Sequence, residues 1–507
     1  MTTAQICILA AIVVYLAAML GIGFWFAKKN NSVDDFYLGG RKLGPFVTAM
    51  SAEASDMSSW LLMGLPGVAY LTGLAEASWT AIGLAIGTYL NWLIVARRIR
   101  RYSTRLDAIT VPQFFSKRWG DDRNLLAAIA AVVIIVFFIP YTASGFSACG
   151  KLFSTLFGME YMTAMLISAA VIVLYTVLGG FLAASFTDLI QSIIMTVALI
   201  VVLGFGVAKA GGLDAVMGNA QTLAGYLSLV NIHDPVTRGS NPYSVLTICS
   251  LLAWGLGYFG MPHILLRFMA IGDEKKLALS RRVASIWVVI SMGVAIFIGV
   301  VGNGMSKAGA LEQLNDAETI IVRIASLISQ HGVFAALVAG IILAGILAAT
   351  MSTADSQLLA ASSSVSQNLV GEFFGVKLEN KKSMLLARCV MVAISLVAVF
   401  LARDPSSSVF RVVSFAWAGF GAAFGPVVLF ALFWKRSNKW GALAGMLSGG
   451  IMVFVWKYLI APMGGAWAIY ELLPAFIVAC IAIVSVSLAT AKPDDEIGKI
   501  FDEVKAM

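Results

Sequence analysis

The chain has 507 residues, 60% of them hydrophobic and 12% charged, with a net charge of +8. Soluble domains carry about 25% charged residues, so a water-soluble fold is all but excluded. The basic surplus is scattered among loops instead of forming one patch, which points to membrane topology and away from nucleic acid.

Apolar runs of about 20 residues, enough to cross roughly 30 Å of hydrocarbon, recur along the whole chain. They predict about 13 spans, near 5–27, 44–72, 77–97, 124–150, 160–182, 188–209, 243–266, 283–304, 333–360, 384–402, 409–434, 440–461 and 467–489. The expected architecture is an all-α integral membrane protein with one transmembrane domain over 1–489 and a tail over 490–507. The first run, Ile6 to Phe26, has no basic segment before it and no small-residue cleavage site after it, so it reads as a retained span, not a signal peptide.

The second span is interrupted by the polar stretch Ser51 to Ser59, followed by Trp60 to Gly67. A charged Asp56 at that depth costs at least about 2.5–3.5 kcal/mol and should face a cation, a partner or water. It either serves a cation or caps the half-helix that begins near it. Glu53, one turn away, repels it unless a cation lies between them or one of the two is protonated. The fourth span brings Tyr141 just after Pro140, and the sixth begins with Asp188, behind Ser185 and Thr187. Asp188 either anchors that helix at the membrane surface or joins Asp355 and Ser356 in a second cation site. The loop from Gly211 to Asn241 is long and polar and is expected to be solvated surface.

The seventh span is interrupted from Trp254 to His263. Trp254 and Tyr258, four apart, make either core filling or an aromatic wall for a small apolar ring, with Pro262 beside them. The ninth span ends with Ser352, Thr353, Asp355 and Ser356 within about one and a half turns. Their hydroxyls either ligate a hard cation or bond their own preceding carbonyls. The tail from Lys492 to Met507 reads as a short charged amphipathic helix, expected to be solvated.

Unwound backbone in hydrocarbon is tolerated only where it lines a polar cavity, so the two broken spans mark one. They stand five spans apart, and an odd offset inverts the second half of the chain relative to the first. This predicts inverted repeats near 44–209 and 243–434, with the broken helices meeting near the midplane. A competing explanation is that Gly and Pro are simply common in membrane helices.

Positive charge gathers on alternate loops: Lys28, Lys29, Arg41 and Lys42; Arg97 to Arg123; Arg267 to Arg282; Lys377 to Arg388; and Lys435 to Lys439. The opposite loops hold Lys151, Lys209, Arg238, Lys307, Arg323 and Arg403. The N-terminus is therefore expected outside and the C-terminus in the cytoplasm. Cys7, Cys149, Cys249, Cys389 and Cys480 show no paired spacing, and buried structural thiols are expected. With three histidines (His233, His263, His331), no phosphate-cradling loop and no serine nucleophile motif, ATP-driven transport and hydrolysis lose support, and no enzyme is expected.

Several stretches carry a family likeness: Tyr37 to Arg41, Leu43 to Thr48, Ser55 to Ser58, Trp60 to Gly67, Trp254 to Phe259, Met351 to Thr353 and Trp417 to Pro426. From about Phe36 to the last span the chain resembles the sodium:solute symporter family, and at the breaks its proline carriers. The resemblance implies thirteen helices with a five-plus-five, leucine-transporter-like core, and sodium-coupled symport of L-proline into the cell by alternating access across the cell membrane. It implies sodium as coupling ion with no further cofactor, held by the carbonyls of Ala54, Met57 and Ala349 and the hydroxyls of Ser352 and Thr353, with Asp56 close by. Proline is then expected to meet Ser58, Trp60, Tyr141, Trp254, Tyr258 and Pro262. Two positions depart from the family pattern: Ser59 stands where glycine is expected and Glu53 where a small residue is expected. Asp355 and Ser356 occupy places that serve a second sodium in some relatives, which leaves the stoichiometry open. Symport of another small amino acid or carboxylate, or a proline-binding sensor or channel, remain the alternatives.

Overall fold

In hydrocarbon every backbone N–H and C=O must be satisfied within the chain, which turns the apolar runs into helices. The structure, a computed structural model, describes residues 2–27 and 33–507. Lys28 and Lys29, counted above among the basic loop residues, lie outside the described residues.

The helices are α1 (Thr3–Ala27), α2 (Pro45–Ser59), α3 (Leu65–Thr72), α4 (Leu74–Arg105), α5 (Leu125–Phe157), α6 (Tyr161–Val177), α7 (Gly179–Lys209) and α8 (Val245–Gly260). They continue as α9 (Pro262–Ala270), α10 (Leu277–Lys307), α11 (Val333–Ser363), α12 (Asn380–Leu401), α13 (Val409–Phe433), α14 (Lys439–Val455), α15 (Leu472–Ala489) and α16 (Asp495–Ala506). Among the described residues ten helices are long and apolar enough to cross a membrane, eleven with the bent pair α8–α9, whose halves meet at 48°. The other two expected spans are also helical. One, α2–α3, is divided at Ser58, and the other, α6, is short and runs into α7 across a kink at Gly180.

Both predicted interruptions are present. Ser58 takes φ 49° and ψ −171°, a region that is nearly glycine's alone and costs on the order of 1–3 kcal/mol. The seventh span does not unwind fully: it tightens to a 3₁₀ winding over Ala253–Gly260 and turns at Met261. Small residues let that winding sit close to its neighbours. A Cβ on Gly87 of α4 would lie 2.3 Å from the Gly255 carbonyl oxygen, and one on Gly257 would lie 2.0 Å from Trp417 Nε1 of α13. On the other side α11 packs along α7, α1 and α2.

Three of the basic loops expected on one side meet. Arg41 donates to the carbonyls of Met269 (2.8 Å) and Ala108 (2.7 Å), and Arg101 pairs with Glu274 at 2.8 Å. The tail is not freely solvated as expected. Helix α16 docks on the basic loops through Arg105–Glu503 (2.9 Å) and Lys435–Asp502 (2.5 Å), and it buries Phe501 and Val504. Such exposed pairs contribute about 0–1 kcal/mol each, whereas burying the Phe501 ring is worth about 1.5–3 kcal/mol, so the apolar contact anchors the tail.

Two of the cations counted with the loops are buried: Arg118 and Arg267 are each 1% exposed. The 211–241 stretch also folds, into the helix Leu213–Thr222 and a hairpin pairing Asn231–His233 with Ser240–Pro242. It returns over the α3–α4 turn, where Tyr226 donates to the Ala69 carbonyl and accepts from Leu74 N–H. All five cysteines are free; Cys149 is buried, while Cys249 and Cys389 are exposed, against the expectation of buried thiols.

The Gly87–Gly255 contact generates a test. Gly87→Val should push α4 off the 253–260 winding at a cost of about 1–3 kcal/mol, seen as a lower Tm in detergent. Gly204→Ala, where the added methyl meets nothing within 4 Å, should leave Tm unchanged.

Candidate functional site

Where α2 breaks, its backbone groups find partners on other helices. Ser58 Oγ accepts from Trp60 N–H at 3.0 Å and starts a wide turn over Trp60–Gly64 that leads into α3. Ser352 Oγ of α11 lies 2.8 Å from the Ala54 carbonyl and 3.1 Å from the Ala349 carbonyl. Thr353 Oγ1 lies 3.2 Å from the same Ala349 oxygen. Four of the five expected sodium-ligating oxygens are thus gathered at the α2–α11 crossing, all buried. The fifth, the Met57 carbonyl, accepts from Trp60 N–H.

Asp56 projects beside this cluster. Tyr258 Oη donates to its Oδ2 at 2.5 Å, and Tyr141 Oη donates to its backbone carbonyl at 3.0 Å. Among the described residues no basic side chain pairs with it. Glu53 turns toward α4, where Trp92 Nε1 donates to Oε1 at 2.9 Å, and its Oε2 is buried without a partner. That bond gives Glu53 a partner on α4, while its charge still acts on Asp56, as its spacing predicts.

Next to Asp56 a narrow cavity is lined by Met57, Trp60, Leu84, Tyr141, Trp254, Val413 and Trp417. A second small cavity, on the α5–α11 side, includes Ser58, Ser59, Tyr141, Thr353 and Gln357. Three rings close the first one off: Trp60, Trp254 and Phe410 form a triangle with centroids 5.6, 5.7 and 5.7 Å apart. Beyond Trp254 and Phe410 opens a cleft of about 880 Å³ that also includes Glu76, Glu318, Arg411 and Tyr470.

Of the residues expected to meet an organic substrate, Trp60, Tyr141 and Trp254 line the first cavity and Ser58 the second. Tyr258 stands behind the wall, its ring edge-on to Trp417 at 5.1 Å. Pro262 is outside both cavities and opens α9. Sequence reasoning missed Trp417, whose Nε1 donates to the Trp254 carbonyl at 2.8 Å, together with Val413 and Phe410. The signal for Trp417 was present, since it heads the stretch Trp417–Pro426 of α13, whose glycines and alanines allow close packing around it.

Asp188, Asp355 and Ser356 also come together, with an unforeseen member. Arg267 of α9 places Nη2 at 3.2 Å from Asp188 Oδ2 and 2.5 Å from Ser356 Oγ, and Nε at 3.0 Å from Ser51 Oγ. Ser51 in turn donates to Asp188 at 2.6 Å. Asp188 is therefore buried among α2, α7, α9 and α11.

The chain is 42% identical to a sodium/proline symporter of Haemophilus influenzae, over 97% of this chain and 96% of that protein. It is 40% identical to an osmoregulated proline transporter of Bacillus subtilis, with 96% and 95% covered. A sodium/proline symporter of Escherichia coli is 41% identical, with 97% and 95% covered. Among solved structures, a sodium-coupled sialic acid symporter in its substrate-bound outward-open state superposes with TM-score 0.78 at 18% identity, over 96% of this chain and 99% of that one. Mhp1, a nucleobase-cation-symport-1 family transporter, follows at TM-score 0.52 and 12% identity, with 92% and 98% covered. These two likenesses show the fold, the leucine-transporter-like arrangement expected from the paired breaks. The sodium:solute symporter family matches residues 36–449, and the chain belongs to that family.

Proposed function

We propose that this multi-pass membrane protein is a secondary transporter of the cell membrane that couples uptake of L-proline to entry of sodium. The observation that carries the proposal is the meeting of Ala54, Ala349, Ser352 and Thr353 oxygens at a helix break, beside an Asp56 that no basic side chain neutralises. The names of relatives about 40% identical over nearly the full chain support proline as the solute.

Sodium, as cargo, is held by hard oxygens: the carbonyls of Ala54, Met57 and Ala349, the hydroxyls of Ser352 and Thr353, and the nearby charge of Asp56. Each hydroxyl at present donates to a carbonyl and needs only to rotate to offer a lone pair. The ion then bridges α2 to α11. Proline's ring packs against Trp60 and Trp254, within reach of Ser58 and Tyr141, while its carboxylate is taken by the positive end of the half-helix exposed at the break, and Tyr258 acts from behind the wall through its hydrogen bond to Asp56. Pro262 acts less directly, by fixing the start of α9. Because each cargo orders groups the other needs, sodium raises affinity for proline and proline raises affinity for sodium by the same factor. Rocking of the inverted-repeat core, built from 44–209 and 243–434 within one domain over 1–489, against the remaining helices exposes both cargoes to the other side. Thirteen spans with the N-terminus outside and the 490–507 tail in the cytoplasm fit the meeting of the basic loops.

In proteoliposomes, uptake of radiolabelled proline should require an inward sodium gradient. Asp56→Ala should cut that uptake at least about tenfold, equivalent to about 1.4 kcal/mol, and Ser352→Ala should raise the half-saturating sodium concentration. Uptake that ignores the gradient would sink the proposal. Trp254→Ala should raise the half-saturating proline concentration by up to about tenfold through loss of the ring contact, with sodium binding in the absence of proline preserved.

A further inference from the structure

On the side of the break away from α11, one face of α4 meets α2 and the 253–260 winding of α8. Leu84 of that face lines the cavity beside Asp56, and Thr88, Asn91 and Trp92 follow it at helical spacing. Trp92 Nε1 holds Glu53 Oε1 at 2.9 Å, and Asn91 Nδ2 donates to the Tyr258 carbonyl at 3.0 Å. The Tyr258 phenol, which donates to Asp56 Oδ2, has Thr88 beside it and feels the charge of Glu53. Two oxygens of this group are left over: Glu53 Oε2 and Thr88 Oγ1 are buried with no hydrogen-bond partner among the described residues. Glu53 is 1% exposed and Thr88 0%. Buried oxygens in that condition call for a ligand, since nearly all buried polar atoms are satisfied.

We propose that Glu53 Oε2, Thr88 Oγ1 and the Asp56 carboxylate form a second cation site, on the α4 side of the break, that takes a sodium ion in addition to the one at Ala54 and Ser352. The inference rests on the sodium-coupling proposal and deepens it. Carboxylate and hydroxyl oxygens are the ligands a hard cation takes, and the Trp92 indole decides which oxygen of Glu53 serves by occupying the other. Charge balance points the same way. Glu53 and Asp56 stand one turn apart on α2 and act on each other's charge, and among the described residues neither is paired with a basic side chain. One sodium at Ala54, Ala349, Ser352 and Thr353 balances one of these charges. The other stays uncompensated in a dry interior unless a second cation meets it. The family pattern expects a small residue at position 53, which would supply neither the oxygen nor the charge, so the site belongs to this chain. Asp56 lies between the two ions and links them: one ties α2 to α11, the other α2 to α4.

The test counts sodium on the purified full-length protein with ²²Na and no proline present. Wild type should bind two sodium ions per chain. Glu53→Gln, which keeps an acceptor for Trp92 and removes the charge, should bind one, and so should Glu53→Ala. Thr88→Val, which keeps the shape and removes the hydroxyl, should weaken one of the two wild-type affinities by about tenfold and leave the other in place. Folding of each variant is checked by elution profile; if neither Glu53 variant folds, the wild-type count and Thr88→Val decide. One sodium on the wild type overturns the inference, because the charge of Glu53 is then met by something other than sodium. Two ions on a folded Glu53 variant overturn it as well, since the second ion then lies elsewhere, and so does a Thr88→Val protein with both affinities unchanged. A wild-type count of zero sinks the sodium-coupling proposal beneath it, whereas substitution of another solute for proline would leave these counts untouched.

Discussion

A helix that breaks inside hydrocarbon must have its freed carbonyls satisfied by something, and the organisation of this molecule follows from how that is done at Ser58. The partners are hydroxyls: Ser352 on the Ala54 carbonyl, Tyr141 on the Asp56 carbonyl, Tyr258 on the Asp56 carboxylate. A hydroxyl is both donor and acceptor, so each of these contacts keeps the break satisfied without an ion and can be turned around to serve one. A backbone amide in the same place could only donate. The chemistry that makes the broken helix tolerable is therefore also what makes it a site, and the strain stored at Ser58 is held by contacts from α5, α8 and α11 at once.

The two oxygen clusters along α2 and α11 differ in how their positive charge is supplied. At Ala54 and Ser352 the acid nearby, Asp56, is met among the described residues by the Tyr258 phenol and by no basic side chain, which leaves its charge to be balanced by something that comes and goes. At Asp188 and Ser356 the balance is covalently attached, through Arg267. Breaking a buried ion pair by removing one partner costs about 3–5 kcal/mol. The second cluster thus behaves as a fixed joint among α2, α7, α9 and α11. A cycle that depends on a removable ion gains from having such a joint one turn away, because ordering at the first cluster is then transmitted through helices already held in register.

Much of this was legible in the sequence because polarity inside an apolar run is hard to explain away. The stretch Ser51 to Ser59 and the Gly-rich stretch after Trp254 announced both breaks, and their five-span separation gave the inverted core. The oxygen set at Ala54, Ala349, Ser352 and Thr353 came from likeness to the symporter family, and the fold brings those residues together. What could not be read was tertiary. Arg267 follows a hydrophobic run and looks like any loop cation; only the bend at Met261 turns its side chain into the core. Pro262 stands beside Trp254 and Tyr258 in sequence, yet the same bend carries it out of the cavity they help to form. The tail has the composition of a solvated helix, and only the position of Phe501 against Arg118 and Arg98, at 5.1 and 5.4 Å, turns it into a docked one.

The aromatic triangle shows which parts of the site can move. Trp254 belongs to the winding whose glycines touch α4 and α13 backbone to backbone, and its carbonyl is held by Trp417 Nε1, so it is fixed by contacts with no slack. Phe410 begins α13, and its N–H and that of Val409 are both capped at 3.1 Å by the Glu318 carboxylate, which also takes Ser408 Oγ at 2.8 Å and Lys151 Nζ at 2.8 Å. A carboxylate on a helix N-terminus is electrostatically favoured, and it pins Phe410 to the segment between α10 and α11. Trp60 sits instead on the wide turn after Ser58, where its indole N–H is buried with no partner. Of the three rings that separate the cleft from the cavity, Trp60 is the one whose position is set by the break itself. Any ordering of the break by an ion bears first on that ring, and through it on access to the cavity.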